Sequence, residues 1–491
     1  MTDSGAPAVT PSAARGRAAI VWLLLLLGAW GCYAARRELI GRFFRDGQPG
    51  APPWPERAAR APGPAAAAVR VVLLDGLSRA HALQLPVLSR ACAGGLELAV
   101  DVGFPTVSLP VQAVLWGGRT QQQSGLQYRI ARLDPPPPDM LPARVAGSVA
   151  VAESHRDIVH SFGFAQVQPP LARDDIEAAG SSWRTHEFAA AAREAIASAA
   201  PLVFVHVLRI DEAGHAHGGD SPQYEAAAAD ADAWLQQWLD AGPPGARWWV
   251  LADHGHRPRG GHGDAEPEIR IVRACVLGGT ATGDRSATPI HLVDVHRELA
   301  DALGLAPVDD APGRPLAQAL ADPRPEQTLP RPGGGAWALA ACLLAAAAWV
   351  TLASAAARRL APWSVLSLGS VLAVHGAITL SNPAVYPPLG AGVLLAASPG
   401  FVYLAIAFAR RPSARAVVLA LALPLGATAA TAILAGVPAS LWRPAPPLVP
   451  RASAWCSVCF TVTGGALATV ALAWAAVAAW RGLQAARRAR G

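Results

Sequence analysis

The 491 residues contain no lysine; all 41 basic residues are arginine. Charge is scarce at 15%, against 52% hydrophobic residues, too apolar a balance for an ordinary soluble chain of this length. The net charge of +6 comes largely from arginines flanking apolar segments. No basic stripe interleaved with aromatics occurs, which excludes a nucleic-acid-binding surface of the usual kind. Cysteine is also sparse, with six residues. Cys32, Cys342, Cys456 and Cys459 fall in apolar segments, so the CxxC spacing of the last two reads as small packing residues. Cys92 and Cys275 lie in the more polar part, and spacing alone leaves open whether they pair.

The apolar excess is uneven. Residues 1–17 are small and polar and read as a cytoplasmic tail. Ala18–Ala35 is an 18-residue apolar run, just long enough to span a bilayer. A cleaved signal peptide is the alternative, but Arg36-Arg37-Glu38 is no small-residue cleavage site, which favours an uncleaved anchor. Residues 36–66 form a linker, 67–325 carry normal charge density and suit one large domain, and 326–333 form a second linker. Within 334–481 lie five apolar segments, about 334–357, 363–381, 388–409, 416–438 and 454–480. Trp337, Trp363, Trp442, Trp455 and Trp480 stand near their ends, as an aromatic belt would. Residues 482–491 are basic and read as a second cytoplasmic tail. Nine arginines (358, 359, 410, 411, 415, 481, 487, 488, 490) collect on one side and two (443, 451) on the other. This predicts a multi-pass membrane protein with the large domain outside the cytoplasm. Arg36, Arg37, Arg42 and Arg45, against Arg15 and Arg17, oppose that orientation at the first span.

Inside the large domain, Val69–Leu74, Pro201–Leu208 and Trp248–Leu251 read as buried strands. Tyr224–Leu239 reads as an amphipathic helix, and Pro135–Pro138 as a loop. Strands alternating with helices predict an α/β domain, a central mainly parallel sheet flanked by helices. The richest stretch is Ala252-Asp253-His254-Gly255-His256, with Gly260-Gly261-His262-Gly263 just after it. Asp253 and His254 follow a strand, at the edge where α/β sheets bind ligands, and carboxylate oxygen and imidazole nitrogen are Zn²⁺ donors. Asp75 follows the first strand. Asp211 and His215 are four apart and share a helical face. Ser108 stands in Pro105-Thr106-Val107-Ser108-Leu109-Pro110. Taken singly, each has a plainer reading as a cap, a turn or a surface loop.

Together and in this order, LLDG, PTVSLP with GGRT, DEAGHAHG with SPQY, and ADHG with GGHG resemble the alkaline phosphatase superfamily, over about residues 67–280. The likeness is to its phosphodiesterase and phosphoethanolamine-transferase branches. It implies an alkaline-phosphatase-like fold and two Zn²⁺ ions. Asp75, Ser108, Asp253 and His254 would surround one, and Asp211, His215 and His262 the other. Ser108 aligns with the nucleophile and would carry a covalent phospho-intermediate. Phosphodiesterase relatives often place an Asn after the nucleophile's proline; here it is Val111. Arg119, His217, His256, Arg257 and Arg259 are candidates for the missing substrate contact. An anchor, an external domain and a multi-span bundle are similar to GPI ethanolamine phosphate transferases. The implied activity is transfer of phosphoethanolamine from a phospholipid donor to a glycolipid or glycan acceptor. Transfer to water, by a membrane-anchored phosphodiesterase or phosphatase, is the alternative. A catalytically dead binding module is opposed by the complete ligand set.

Overall fold

The computed structural model describes residues 66, 68–126, 132–168, 185–324 and 334–353, with scattered positions between 20 and 37 and between 475 and 488. Contacts divide the chain into one unit spanning 44–329 and another formed by 1–43 with 330–491.

In the first unit nine strands form one sheet: β1 (Val69–Leu74), β2 (Leu96–Asp101), β3 (Val149–Ala152), β4 (Gln166–Gln168), β5 (Leu202–Val207), β6 (Arg247–Leu251), β7 (Ile271–Leu277), β8 (Gly283–Asp284) and β9 (Ile290–His291). Their order is β4-β3-β5-β1-β6-β7-β2-β8, with β9 also on β2. β7 runs antiparallel to β6 and β2, and the other pairings are parallel. The predicted α/β class and mainly parallel sheet are thus what the chain adopts. The apolar runs behind β1 and β5 are buried along their whole length, as a sheet covered on both faces requires. Arg70 is the exception within β1. It is fully buried, and its guanidinium donates to the carbonyls of Ile196, Ser198 and Ala200, ending the helix above it.

The helices are α1 (Arg79–Ala82), α2 (Pro86–Ala93), α3 (Ser108–Gly117), α4 (Gln121–Ser124), α5 (Arg156–His160), α6 (Thr185–Ala197), α7 (Arg209–His217), α8 (Pro222–Ala241), α9 (Pro267–Arg270), α10 (Leu292–Ala302) and α11 (Leu316–Ala321). α2 packs on β2, β7 and α8, α6 packs on β3, β5 and α8, and α3 packs on α10. Trp116, Phe204, Trp238 and Trp249 are fully buried, each contributing about 2–3 kcal/mol through lost apolar surface. Cys92 of α2 and Cys275 of β7, left open by the sequence, form a disulfide with Cα atoms 5.0 Å apart.

In the second unit, helix α12 (Gly334–Ala353) occupies the start of the first expected apolar segment. Among the described residues, no helix is long and apolar enough to cross a membrane. The tail 1–17, most of the Ala18–Ala35 run, the linkers 36–65 and 326–333, and the segments from 354 to about 474 lie outside the described residues.

Candidate active site

Three parallel strands, β5, β1 and β6, lie side by side, so the loops leaving their carboxyl ends converge. β1 delivers Asp75, β6 delivers Asp253 and His254, and β5 leads into α7, which carries Asp211. All four side chains are buried. The turn after β1 depends on Gly76, whose φ is +73°. A Cβ there would stand 2.9 Å from the Cα and Cβ of Asp211, so only glycine lets Asp75 and Asp211 approach. The Tyr224 hydroxyl donates to the Gly76 carbonyl at 2.6 Å and receives the Ser78 N–H at 2.8 Å, fixing that turn from α8.

Ser108 is the first residue of α3. The cap position belongs to Val107, which caps with no side chain, so the Ser108 hydroxyl is not spent on capping. Its Oγ lies 3.1 Å from His254 Nε2 and 3.5 Å from Asp75 Oδ1. Pro110 has no N–H, and the Val111 N–H donates to the Val107 carbonyl. The orphan donors of the helix start are therefore the N–H groups of Ser108 and Leu109, beside the nucleophilic hydroxyl. A helix N-terminus so furnished favours an anion. The motif's Thr106 ties the last loop in: its Oγ1 donates to the Asp264 carbonyl at 2.7 Å and receives the Gly263 N–H at 2.9 Å.

The donor geometry suits metal ions. Two donors at about 2.0 Å from one tetrahedral ion stand about 3.3 Å apart. In the set Asp211, His215 and His262, the separations are 3.0 Å between the two Nε2 atoms, and 3.5 Å from each to an oxygen of Asp211. In the set Asp75, Ser108, Asp253 and His254, His254 Nε2 lies 3.4 Å from Asp75, 3.8 Å from Asp253 and 3.1 Å from Ser108. Broader clusters with all donor atoms within 4.8 Å are Asp211, His254, His256 and His262, and Asp75, Asp253 and His254. They share His254, so the two sets adjoin.

Tautomers sharpen the choice. His262 Nδ1–H donates to the Thr106 carbonyl at 2.7 Å, and His254 Nδ1–H to the Gly255 carbonyl at 3.2 Å. Each leaves its Nε2 lone pair toward the cluster, the usual arrangement of a metal-bound imidazole. The two rings stack with their centroids 3.7 Å apart. His256 is the opposite case. The Gly261 N–H donates to its Nδ1, so its proton is on Nε2, which donates to Asp211 Oδ1 at 2.7 Å.

Electrostatics point the same way. Burial, then the charges of Asp253 and Asp211, push Asp75 well above the usual carboxylate range. Burial also opposes charge on Asp211, but the His256 hydrogen bond and the neighbouring imidazoles outweigh it and hold Asp211 well below that range. Burial and nearby imidazoles lower both His215 and His262, against the pull of Asp211. Three buried aspartates gathered with His215 and His262, whose charged forms burial disfavours, form a site that a cation completes.

Of the candidate substrate contacts, Arg119 is not brought here. It lies past the far end of α3, about 15 Å of helix from Ser108, bound to Asp139 and Asp310. His217 is exposed on α7, about 200° around the helix from His215. His256 is buried against Asp211 rather than open to a substrate, Arg259 is exposed, and Arg257 is half-buried with its Nε 4.0 Å from Glu266. Two site residues escaped the sequence reading. His206 of β5, fully buried, donates through Nε2 to Asp75 Oδ2 at 2.7 Å; burial lowers its pKa to about 4, so it is neutral. Gln112, one turn after Ser108, donates to Asp253 Oδ2 at 3.1 Å. A lone polar residue inside each apolar run was the available signal.

Residues 136–262 match the family described as type I phosphodiesterase / nucleotide pyrophosphatase. Among solved structures, the chain is similar to murine ectonucleotide pyrophosphatase / phosphodiesterase 5 in complex with AMP, at 14% identity over 49% of this chain and 96% of that one, with a TM-score of 0.40. It is also similar to an alkaline phosphatase superfamily protein of Vibrio parahaemolyticus, at 13% identity over 61% and 80%, TM-score 0.40. A third likeness is to a Bacteroides thetaiotaomicron protein described as a putative sulfatase, at 13% identity over 55% and 77%, TM-score 0.37. No curated protein matches the chain. Within the α/β domain, residues 136–262 thus resemble the type I phosphodiesterase / nucleotide pyrophosphatase family.

Proposed function

We propose that the chain is a metal-dependent phospho-head-group transferase, taking phosphoethanolamine from a phospholipid and passing it to a glycolipid or glycan acceptor through phospho-Ser108. The observation that carries the nucleophile is the uncapped Ser108 hydroxyl at the start of α3, 3.1 Å from His254 and 3.5 Å from Asp75. Two Zn²⁺ ions, held by Asp211, His215 and His262 and by Asp75, Asp253, His254 and Ser108, would lower the pKa of the hydroxyl and offset phosphate charge. The Ser108 and Leu109 N–H groups, orphan donors of the α3 start, would offer hydrogen bonds to a bound phosphate without reorganisation as charge develops. The Ser108 O–P bond forms as the bond to the leaving alcohol breaks, and that alcohol takes up the proton Ser108 gives up. An acceptor hydroxyl then attacks phosphorus and releases Ser108.

The apolar segments on either side of the domain favour a lipid-borne donor. The Cys92–Cys275 disulfide supports an extracytoplasmic domain, since such bonds persist in oxidising compartments. A second reading, hydrolysis by a membrane-anchored phosphodiesterase, is favoured by the family match over residues 136–262. One experiment separates them: incubate the purified full chain with headgroup-labelled phosphatidylethanolamine and membrane lipids. Label on a glycolipid or glycan supports the transferase. Release of free phosphoethanolamine alone establishes the hydrolase, and no turnover of the lipid sinks the lipid-donor reading.

A further inference from the structure

Each of the three clustered aspartates has its two oxygens in different surroundings. Asp75 Oδ2 receives His206 Nε2–H at 2.7 Å and the Gln112 amide at 3.5 Å. Its Oδ1 faces Ser108 Oγ and His254 Nε2, at 3.5 and 3.4 Å. Asp253 Oδ2 receives Gln112 Nε2–H at 3.1 Å, while its Oδ1 takes the Gly76 N–H at 3.2 Å and faces His254 at 3.8 Å. Asp211 Oδ1 receives His256 Nε2–H at 2.7 Å and also faces His262 Nε2 at 3.5 Å, while its Oδ2 faces His215 at 3.5 Å.

We infer that His206, Gln112 and His256 are positioning residues that each clamp one oxygen of these aspartates and so set the affinity of the two metal positions separately. The inference rests on the metal-site reading above. Its physical reason is that a carboxylate rotates freely about its last bond, and each uncontrolled rotation weakens a metal ligand. A neutral N–H donor removes that freedom without cancelling the negative charge the ion needs. An arginine or lysine in the same place would compete with the ion.

The placement of the three donors is specific. Gln112 is one turn from Ser108 on α3, so the helix that carries the nucleophile also grips Asp253 and Asp75. The register of α3 thereby links the hydroxyl to the carboxylates around it. His256 reaches Asp211 because position 214 of α7 is glycine: a Cβ there would lie 2.5 Å from the imidazole Cδ2. The Gly261 N–H at Nδ1 fixes the tautomer that makes Nε2 a donor. His206 is a single imidazole set inside the buried strand β5, aimed at Asp75.

The test uses full-length protein stripped with a chelator and reloaded with Zn²⁺, with stoichiometry from elemental analysis and affinities from competition against a chromophoric chelator. The wild type is expected to hold two ions. His256→Phe should weaken one ion by about 10–100-fold and leave the other within about threefold. His206→Phe and Gln112→Met should do the same to the other ion. His256→Gln and His206→Gln, which keep an N–H donor, should recover most of the loss. If a Phe variant does not fold, His256→Asn and Gln112→Asn shorten the donor while keeping the site polar, and the same selective losses are expected. A purely structural role would lower the melting temperature of the stripped protein and leave Zn²⁺ affinity unchanged; that result overturns the inference, as does equal weakening of both ions by every variant. A wild type that binds no metal overturns the metal-site reading itself.

Discussion

At the scale of the residue, the chemistry turns on a hydroxyl that the helix does not use. Ser108→Ala removes one oxygen from a buried position with no capping duty, so fold and metal binding should survive. Turnover should fall by on the order of 10³-fold or more, because no other group can carry the phosphoryl. Steady-state rates, with mass spectrometry for the phospho-protein, check this; near-normal activity would remove Ser108 from its role. The residues of the two expected ligand sets were readable because carboxylates and imidazoles beside glycines after apolar runs are conspicuous. His206 and Gln112 were not readable, because a single polar residue inside LVFVHV or SLPVQAVLWG gives no hint of its partner until strand and helix are placed together. His256 was seen but given to substrate. Only the Gly261 N–H at its Nδ1 shows that its other nitrogen is committed to Asp211.

At the scale of the element, three strand ends and one helix start are brought together by turns with little room for side chains. Gly76→Ala tests this. The new methyl meets Asp211 at 2.9 Å in a backbone with φ +73°. The left-handed strain and overpacking together should cost on the order of 2–4 kcal/mol, read from denaturant unfolding, with loss of activity as Asp211 moves. An unchanged midpoint and rate would show that the turn relaxes freely. β1, β5 and β6 were legible as apolar runs, and the helix expected at Tyr224–Leu239 extends to Pro222–Ala241. β2 and β7 were not legible, for a physical reason. Glu97 and Arg273 interrupt their apolar pattern and meet across the antiparallel pair in two hydrogen bonds of 2.9 and 2.8 Å, with Arg273 also donating to the Ala82 carbonyl and Ser89 Oγ. A strand whose charge is neutralised by a partner distant in sequence looks like a loop until that partner is known.

At the scale of the whole domain, distant segments are tied by covalent and electrostatic constraints that the site does not use. The Cys92–Cys275 bond closes a loop with a sequence separation of 183. Its replacement by Ala at both positions should cost about 2–5 kcal/mol, chiefly by freeing the unfolded chain. Equal stability of oxidised and doubly substituted protein, by denaturant unfolding, would contradict this. The second constraint is the burial of neutral histidines far from the cluster. Burial lowers His291 and His296 to about 4 from the usual 6.5. As pH falls through about 6.5 the unfolded chain takes up protons at these positions while the folded domain does not. Stability should therefore be full above that pH and decline down to about pH 4, where the folded histidines also protonate. The depression at His296 alone corresponds to on the order of 3 kcal/mol across the window. His296 Nδ1–H donates to the Leu115 carbonyl, and His296→Asn keeps a donor near that place while removing the titration. In the presence of chelator, the variant should lose a roughly constant amount of stability at every pH but show a shallower decline between pH 6.5 and 4 than the wild type. Parallel wild-type and variant curves would mean that His296 takes no part in the acid sensitivity of the domain.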